Sequence, residues 1–167
     1  MVQLQGFHGT NKSSFEKIKK EGFYICKTGW FGSGVYFYKN NIEKALEWSK
    51  KKYKSNNCVI EINLQIENKF VFDVTNVNGE DARIFHRIRK ELIEQMKKVG
   101  ILAIVSKKNF DNIVFNYISK KLKKQVIIGN SFTYDEYDIP SRVPNGIEIC
   151  IIDTRIIVLK DLKEVER

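Results

Sequence analysis

The sequence predicts one α+β domain in which short, mostly antiparallel strands carry helices on their periphery. Alternating apolar residues indicate strands along most of the chain, and apolar residues at helical spacing indicate helices between them. With 167 residues, 43% of them hydrophobic, the chain is long enough to bury a substantial core. We therefore assign residues 1–167 to a single domain.

The N-terminal part is predicted to contain three strands and a short helix. Residues 2–7 alternate apolar and polar side chains, which is typical of a strand. Polar residues before position 15 can cap a helix over residues 15–21, and Gly22 can end it. Residues 23–26 form a further short strand. After a glycine-rich loop, the β-branched and aromatic residues 35–38 indicate the third.

The middle of the chain is predicted to form a helix, two strands and a second helix. An apolar stripe at helical spacing covers residues 42–53, and another covers residues 80–99. Between them, residues 58–66 have the clearest period of two in the sequence, and residues 70–74 form a shorter strand.

The C-terminal third is predicted to contain one more helix, over residues 110–121, and several strands. These strands cover residues 101–105, 125–128, 147–152 and 156–159. Residues 130–145, between the strands at 125–128 and 147–152, form a polar and aromatic segment that contains both prolines of the chain. A loop of this length in a compact domain is often functional.

The composition indicates where the protein works. The N-terminus lacks the basic and apolar regions of a signal peptide, and no run of about 20 apolar residues is present, so we expect a cytoplasmic protein with no membrane contact. Cys26, Cys58 and Cys150 have no C-x-x-C spacing, which favours reduced thiols. Because the only histidines are His8 and His86, we expect no metal site.

The charge balance favours an anionic partner. Lys and Arg outnumber Asp and Glu by 29 to 20, which gives a formal net charge of +9. Such a surplus suits nucleic acid, nucleotide phosphates or an acidic protein that covers the surface. Lysines also accumulate at helix C-termini because they stabilise helices there, so the charge alone does not identify the partner.

Three separated segments could carry chemistry. His8 is predicted at a strand end, where the glycine after it leaves a backbone N–H and C=O accessible, a pair complementary to a primary carboxamide. Residues 29–37 combine three glycines with a strand that carries Tyr36, a suitable wall for a flat ring. Glu148 interrupts an otherwise apolar strand, and glutamate is rarely buried without a partner.

In their order along the chain these segments resemble the H-Y-E ADP-ribosyltransferases, the group related to diphtheria toxin and the poly(ADP-ribose) polymerases. The matching residues are His8-Gly9-Thr10, Phe31-Gly32-Ser33-Gly34-Val35-Tyr36-Phe37 and Glu148-Ile149-Cys150-Ile151-Ile152-Asp153. The resemblance implies an ADP-ribosyltransferase-like fold of split, mostly antiparallel β-sheets with peripheral helices. It also implies NAD as the co-substrate and no metal.

The resemblance further implies a role for each matching residue. His8 would bind the adenosine-side ribose of NAD, and the backbone of Gly9 would bind the nicotinamide carboxamide. Tyr36 would stack on the nicotinamide ring. Glu148 would bind the 2′-hydroxyl of the nicotinamide ribose and stabilise the oxocarbenium-like transition state. The NAD-binding set is completed by Thr10, Gly34 and Trp48, and the expected acceptor contacts are Tyr134 and Tyr137.

The sequence departs from the family pattern after the Tyr-Phe element. Polymerase-type enzymes have a serine and then a tyrosine there, which complete the nicotinamide pocket. Here Lys44 is at the serine position, and Trp48 is one residue out of register for the second aromatic. The chain also lacks the helical regulatory domain of chain-forming polymerases, so we expect transfer of a single ADP-ribose unit or simple NAD cleavage.

The leading hypothesis is an NAD-dependent mono-ADP-ribosyltransferase that modifies a nucleic acid or a protein inside the cell that makes it. As a toxin or defence effector, it would have an acidic antitoxin or immunity protein as a partner. An NAD glycohydrolase and an RNA 2′-phosphotransferase are alternatives on the same fold, although the phosphotransferases lack the Tyr-Phe element and the strand glutamate. A non-catalytic, basic nucleic-acid-binding module is a third alternative, and it would bind no NAD.

Overall fold

A computed structural model describes residues 1–102, 109–132 and 143–165. Within them the chain forms four α-helices and one seven-stranded sheet, so the α+β class is confirmed. The elements are, in chain order, β1 (Val2–Asn11), α1 (Lys12–Glu21), β2 (Val35–Lys39), α2 (Ile42–Lys52), β3 (Asn57–Ile66), β4 (Val71–Asp73), α3 (Glu80–Lys98), α4 (Phe110–Leu122), β5 (Val126–Ser131), β6 (Gly146–Ile151) and β7 (Lys163–Val165).

The sheet has the strand order β4-β5-β6-β2-β1-β3-β7, and every neighbouring pair except β4 with β5 is antiparallel. β1 pairs with β3 along its whole length, from Val2 to Asn11. On its other edge β1 pairs with β2 only at Gly6↔Lys39 and Phe7↔Tyr38. The described strands therefore form one sheet that opens near its centre, and this opening is the feature nearest to the expected split between two sheets.

Side chains alternate along the strands and build an apolar layer on each face. On one face, α1 and the C-terminal turns cover a layer that includes Leu4, Phe37 and Ile149. On the other, which we call the helix face, α3 and α4 cover Ile127 and Cys150, and α2 covers the region around Phe7. The helix face therefore has two separate clusters, one under α2 and one under α3 and α4.

Local sequence signals fix the ends of the first helices. The Asn11 side chain accepts a hydrogen bond from the Ser14 N–H at the start of α1, and Gly22, with φ of 85°, ends the helix. Asn41 caps α2 in the same way through the N–H of Lys44. The predicted end of α1 at Gly22 is confirmed, whereas the helix begins at Lys12, three residues before the predicted start at residue 15, because Asn11 caps it. None of the described helices combines the length and the apolar character that crossing a lipid bilayer requires.

Two predicted strands are wrong, and one strand was not predicted. Residues 23–26 contribute only an isolated bridge between Cys26 and Gly34. Residues 156–159 form no strand: Ile156 ends one 3-10 turn and Leu159 begins another, and Ile156, Ile157 and Leu159 pack beneath the sheet. The sequence does not predict β7, a three-residue edge strand that pairs with β3. The predicted strand at 101–105 lies largely outside the described residues.

Candidate functional site at the opening between β1 and β2

The direction of the β1 backbone shows which groups line the opening. The N–H of Asn40 donates to the carbonyl oxygen of Gln5 on the β2 side, and the N–H of Lys12 donates to that of Asn56 on the β3 side. Backbone groups of successive strand residues point to opposite edges. The N–H and C=O of odd-numbered β1 residues therefore point towards β2.

Gly9 is the odd-numbered residue at the opening. It would pair with Tyr36 if the ladder between the strands continued, but the ladder ends at Phe7↔Tyr38. Instead, Nδ1 of His8 lies 2.8 Å from the carbonyl oxygen of Tyr36. Because a carbonyl only accepts, Nδ1 carries the proton and donates it, and the lone pair of neutral imidazole lies on Nε2. The His8 ring thus supplies a cross-strand hydrogen bond where the backbone ladder has stopped.

His8 lies inside β1 rather than at its end, which corrects the sequence prediction. Its half-buried ring packs edge-on against Phe23, at 5.3 Å between centroids, and tilted against Phe37, at 5.5 Å. Burial lowers the pKa of His8, the hydrogen bond to the Tyr36 carbonyl opposes this, and the positive charge of Lys52 adds to the lowering. The imidazole is therefore neutral at pH 7.

Helix packing accounts for the glycine at position 9. A Cβ atom there would lie 1.9 Å from the carbonyl oxygen of Ala45 and 3.1 Å from Cβ of Ser49, both in α2. Any side chain would therefore push α2 off the sheet. The sequence suggested that this glycine lets a ligand approach, but close packing by α2 requires it independently of any ligand.

Tyr36 is held rigidly by the glycine-rich loop. Its hydroxyl donates to the carbonyl oxygen of Gly32 at 2.7 Å and accepts from the N–H of Phe31 at 2.9 Å. A Cβ at Gly29 would lie 2.1 Å from that hydroxyl oxygen, so the loop runs directly against the ring. Burial raises the pKa of Tyr36 far above its usual range. The tyrosine therefore stays protonated and takes no part in acid–base chemistry. Its ring is a rigid apolar surface held in one orientation.

Two asparagines of α4, which the sequence reasoning missed, anchor the same loop. Asn112 donates through Nδ2 to the carbonyl oxygen of Gly29 at 2.6 Å. Asn116 accepts from the N–H of Ser33 at 2.8 Å and donates to Oδ1 of Asn112 at 2.9 Å. Two asparagines four residues apart beside an apolar helical stripe were the available signal. Through these bonds α4 positions the loop that positions Tyr36.

Glu148 lies in β6, between Tyr38 of β2 and Gly129 of β5. Its Oε1 accepts a hydrogen bond of 2.8 Å from Oγ of Ser131, a residue only 3% exposed. Burial raises the pKa of the Glu148 carboxyl, and the hydrogen bond from Ser131 opposes that rise. The sequence singled out the glutamate, but it gave no indication that Ser131 is its partner.

The register brings Tyr36 and Glu148 to the same part of the helix face. Tyr36 is opposite Cys150, and Tyr38 is opposite Glu148, so Tyr36 and Glu148 are diagonal neighbours on adjacent strands. Diagonal pairs of this kind are about 7–8 Å apart, within the span of one nucleoside. The backbone of Gly9 faces the same opening from β1.

The remaining predicted NAD-binding residues occupy different surroundings. Thr10 is 1% exposed, and it shares a side of β1 with His8, away from the helix face. A Cβ at Gly34 would lie 2.5 Å from the carbonyl oxygen of Ile151, so this glycine is packed on β6. Trp48 is 44% exposed on α2. Tyr134 and Tyr137 lie outside the described residues.

Two surface hollows lie away from this opening. One, of about 440 Å³, is lined by residues of α3 and α4 such as Arg87 and Lys121, and the other, of about 350 Å³, lies beside the end of β3. Neither contains His8, Tyr36 or Glu148. In the part of the chain that the structure describes, no group of three or more His, Cys, Asp and Glu side chains could hold a metal ion. The candidate site is therefore identified from the positions of its side chains and backbone groups, and not from either of these two hollows.

No protein-family model matches this sequence, and no curated protein or solved structure matches it either.

Proposed function

We propose that the protein is an NAD-dependent mono-ADP-ribosyltransferase whose NAD site is the opening between β1 and β2. The observation that carries this proposal is the meeting of three distant sequence elements. Nδ1 of His8 is 2.8 Å from the Tyr36 carbonyl oxygen, and Glu148 is the diagonal neighbour of Tyr36 on the next strand. These are the three residues on which the resemblance to H-Y-E ADP-ribosyltransferases depends.

The groups at the opening match the parts of NAD. A primary carboxamide needs one acceptor and one donor, and the backbone of Gly9 presents both towards the β2 side. The Tyr36 ring, held through its hydroxyl by the glycine loop, offers a flat surface for the nicotinamide. The His8 ring lies on the opposite side of the sheet from the Tyr36 ring and Glu148, beside Phe23 and Phe37, so its part in the site is the hydrogen bond from Nδ1 to the Tyr36 carbonyl oxygen, which fixes the edge of the opening.

The reaction requires positive charge to be stabilised on the nicotinamide ribose. The bond between C1′ and the nicotinamide nitrogen breaks, and its electron pair neutralises the pyridinium. The positive charge that develops over C1′ and the ring oxygen is stabilised by ionised Glu148, which Ser131 orients. The acceptor oxygen or nitrogen then bonds to C1′ and releases its proton. With water as the acceptor, the same step is NAD hydrolysis.

The direct test is release of nicotinamide from labelled NAD by the purified protein in the presence of a cell lysate. We expect Glu148→Gln to reduce release at least about 100-fold, because it removes the stabilising charge but keeps the shape. Glu61→Gln is the matched control, since Glu61 is also a strand glutamate that accepts a side-chain hydrogen bond, from Gln5. It should retain wild-type activity.

The outcomes separate the alternatives. Label on macromolecules that disappears after RNase or protease treatment identifies a transferase and its acceptor. Release of nicotinamide without labelled macromolecules identifies an NAD glycohydrolase. An RNA 2′-phosphotransferase would tolerate Glu148→Gln. If neither the wild type nor any variant turns over NAD, the enzyme proposal is wrong and a basic binding module is the better explanation.

A further inference from the structure

Three large aromatic side chains near the opening are exposed instead of contributing to a core. Trp30 is 63% exposed, Trp48 is 44% exposed and Phe132 is 55% exposed. Side chains of this size bury a large apolar area when a protein folds around them. Their exposure leaves that area available to a binding partner.

Trp30 belongs to the loop that holds Tyr36. It lies between Gly29, which runs against the Tyr36 ring, and Phe31, whose N–H donates to the Tyr36 hydroxyl. The ring of Phe31 covers Gly129, where a Cβ atom would lie 2.2 Å from it, and Gly129 is the strand neighbour of Glu148. The loop that carries Trp30 therefore passes next to Glu148.

Phe132 and Trp48 are adjacent in sequence to residues at two other borders of the opening. Phe132 directly follows Ser131, whose hydroxyl donates to Glu148. Trp48 directly precedes Ser49, which packs on Gly9 across the opening from Tyr36. The glycine loop, the end of β5 and the turn of α2 above Gly9 thus each carry one exposed aromatic residue. We call Trp30, Trp48 and Phe132 the aromatic rim.

Positive charge occurs on the same segments. Lys27 precedes the glycine loop and is exposed, and Lys52 lies on the last turn of α2, where its charge is close enough to lower the pKa of His8. The chain as a whole has a net charge of +9. Aromatic faces combined with a positive surface are typical of proteins that bind single-stranded nucleic acid, because unpaired bases stack and phosphates are attracted.

We propose that the aromatic rim binds single-stranded nucleic acid and presents one of its nucleotides to the site as the ADP-ribose acceptor. Binding by the rim is independent of NAD turnover, whereas the transfer step rests on the proposed function. In that step a base nitrogen or a hydroxyl of the bound strand bonds to C1′ as the bond to nicotinamide breaks, and the acceptor gives up its proton. A duplex hides its base faces and is a poor ligand.

The test is fluorescence anisotropy with labelled 12-nucleotide strands of RNA and of DNA of mixed sequence, and with the corresponding duplexes, in the absence of NAD. We expect Trp30→Ala and Phe132→Ala each to weaken single-strand binding by about 5- to 100-fold. The slope of log affinity against log salt should stay unchanged, because no phosphate contact is lost. Lys27→Ala and Lys52→Ala should reduce that slope.

Tyr117→Ala is the matched control. Tyr117 is an exposed α4 tyrosine with the ammonium of Lys121 5.3 Å from its ring centre, so it has the same chemistry on another surface. Its removal should leave affinity unchanged, and thermal melts show whether each variant is folded. Tighter binding of the RNA strand or of the DNA strand identifies the acceptor polymer.

Equal binding of duplex and single strand, or equal effects of the rim and control variants, would overturn the proposal. So would transfer of ADP-ribose only to protease-sensitive material. If the wild type releases nicotinamide from NAD but binds neither strand, the rim proposal fails while the proposed function stands. If it binds single strands through the rim but never turns over NAD, the enzyme proposal fails and the rim remains a binding surface.

Discussion

Burial disfavours the charged forms of both His8 and Glu148, so it shifts their pKa values in opposite directions. His8 is kept neutral chiefly by burial, which lowers its pKa, while burial raises the pKa of Glu148. A stabilising carboxylate must be ionised, and the Ser131 hydroxyl contributes to this because its hydrogen bond favours the charged form and fixes one oxygen. Ser131 is therefore a positioning residue for Glu148.

Removal of the Ser131 hydroxyl should change the pH dependence of NAD cleavage. Because the proposed reaction needs ionised Glu148 and burial raises the pKa of this carboxyl, activity should fall on acidification at a pH above the ordinary glutamate value of about 4.3. Ser131→Ala removes the bond that lowers this pKa, so the acidic limb should move to higher pH. The measurement is the rate of nicotinamide release as a function of pH.

Ser131→Thr, which keeps a hydroxyl, provides the control for this prediction. It should restore the acidic limb towards its wild-type position. An alanine variant that loses activity equally at every pH, with no movement of the limb, would show that Ser131 has only a structural role.

Among the helices and strands, features that depend on neighbouring residues were predicted better than features that depend on contacts with distant parts of the chain. The cap at Asn11 and the period of two in β3 depend on neighbouring residues, and both appear as expected. The extension of β1 through His8 depends on pairing with β3, and the packing of Ile157 depends on the sheet above it. Neither dependence is visible within a short window of sequence.

The clearest long-range contact that the sequence did not predict is the one between α4 and the glycine loop. Ser33 and Asn116 are 83 residues apart, and their contact follows only from how α4 lies on the helix face. An asparagine in a predicted helix can lie in solvent or bind any neighbouring backbone group, so only the fold shows that Asn116 binds the N–H of Ser33. The loop, and with it Tyr36, is thus positioned from a different part of the chain.

We expect Asn116→Ala to loosen the glycine loop. It removes the partner of the Ser33 N–H, and a lost bond of this kind costs about 1–3 kcal/mol. NAD cleavage should weaken mainly through a higher KM, because Tyr36 is less well held. Lys120→Ala, an exposed change on the same helix, is the control for denaturant unfolding and kinetics. Unchanged stability and KM in Asn116→Ala would show that the anchor is unimportant.

For the whole molecule, the strand order explains how distant segments of the chain meet at the candidate site. β1, β2 and β6 come from the beginning, the first quarter and the end of the chain, yet they are neighbours at the centre of the sheet. The sequence predicted the order in which these elements occur along the chain, and the roles of His8, Tyr36 and Glu148 stay a prediction. It could not predict that the β1–β2 ladder ends at Phe7↔Tyr38, on which the opening depends, because strand register follows from the packing of all the layers.

The central claim is that NAD binds at this opening, and amide chemical shifts of ¹⁵N-labelled Glu148→Gln protein titrated with NAD test it most directly. This variant should keep the shape of the candidate site while slowing the proposed turnover of NAD. We predict the largest shifts at Gly9 and Tyr36, with no change at Ile88 and Leu64, which line the two hollows elsewhere. Shifts confined to those hollows, or no shifts at millimolar NAD, would contradict the claim.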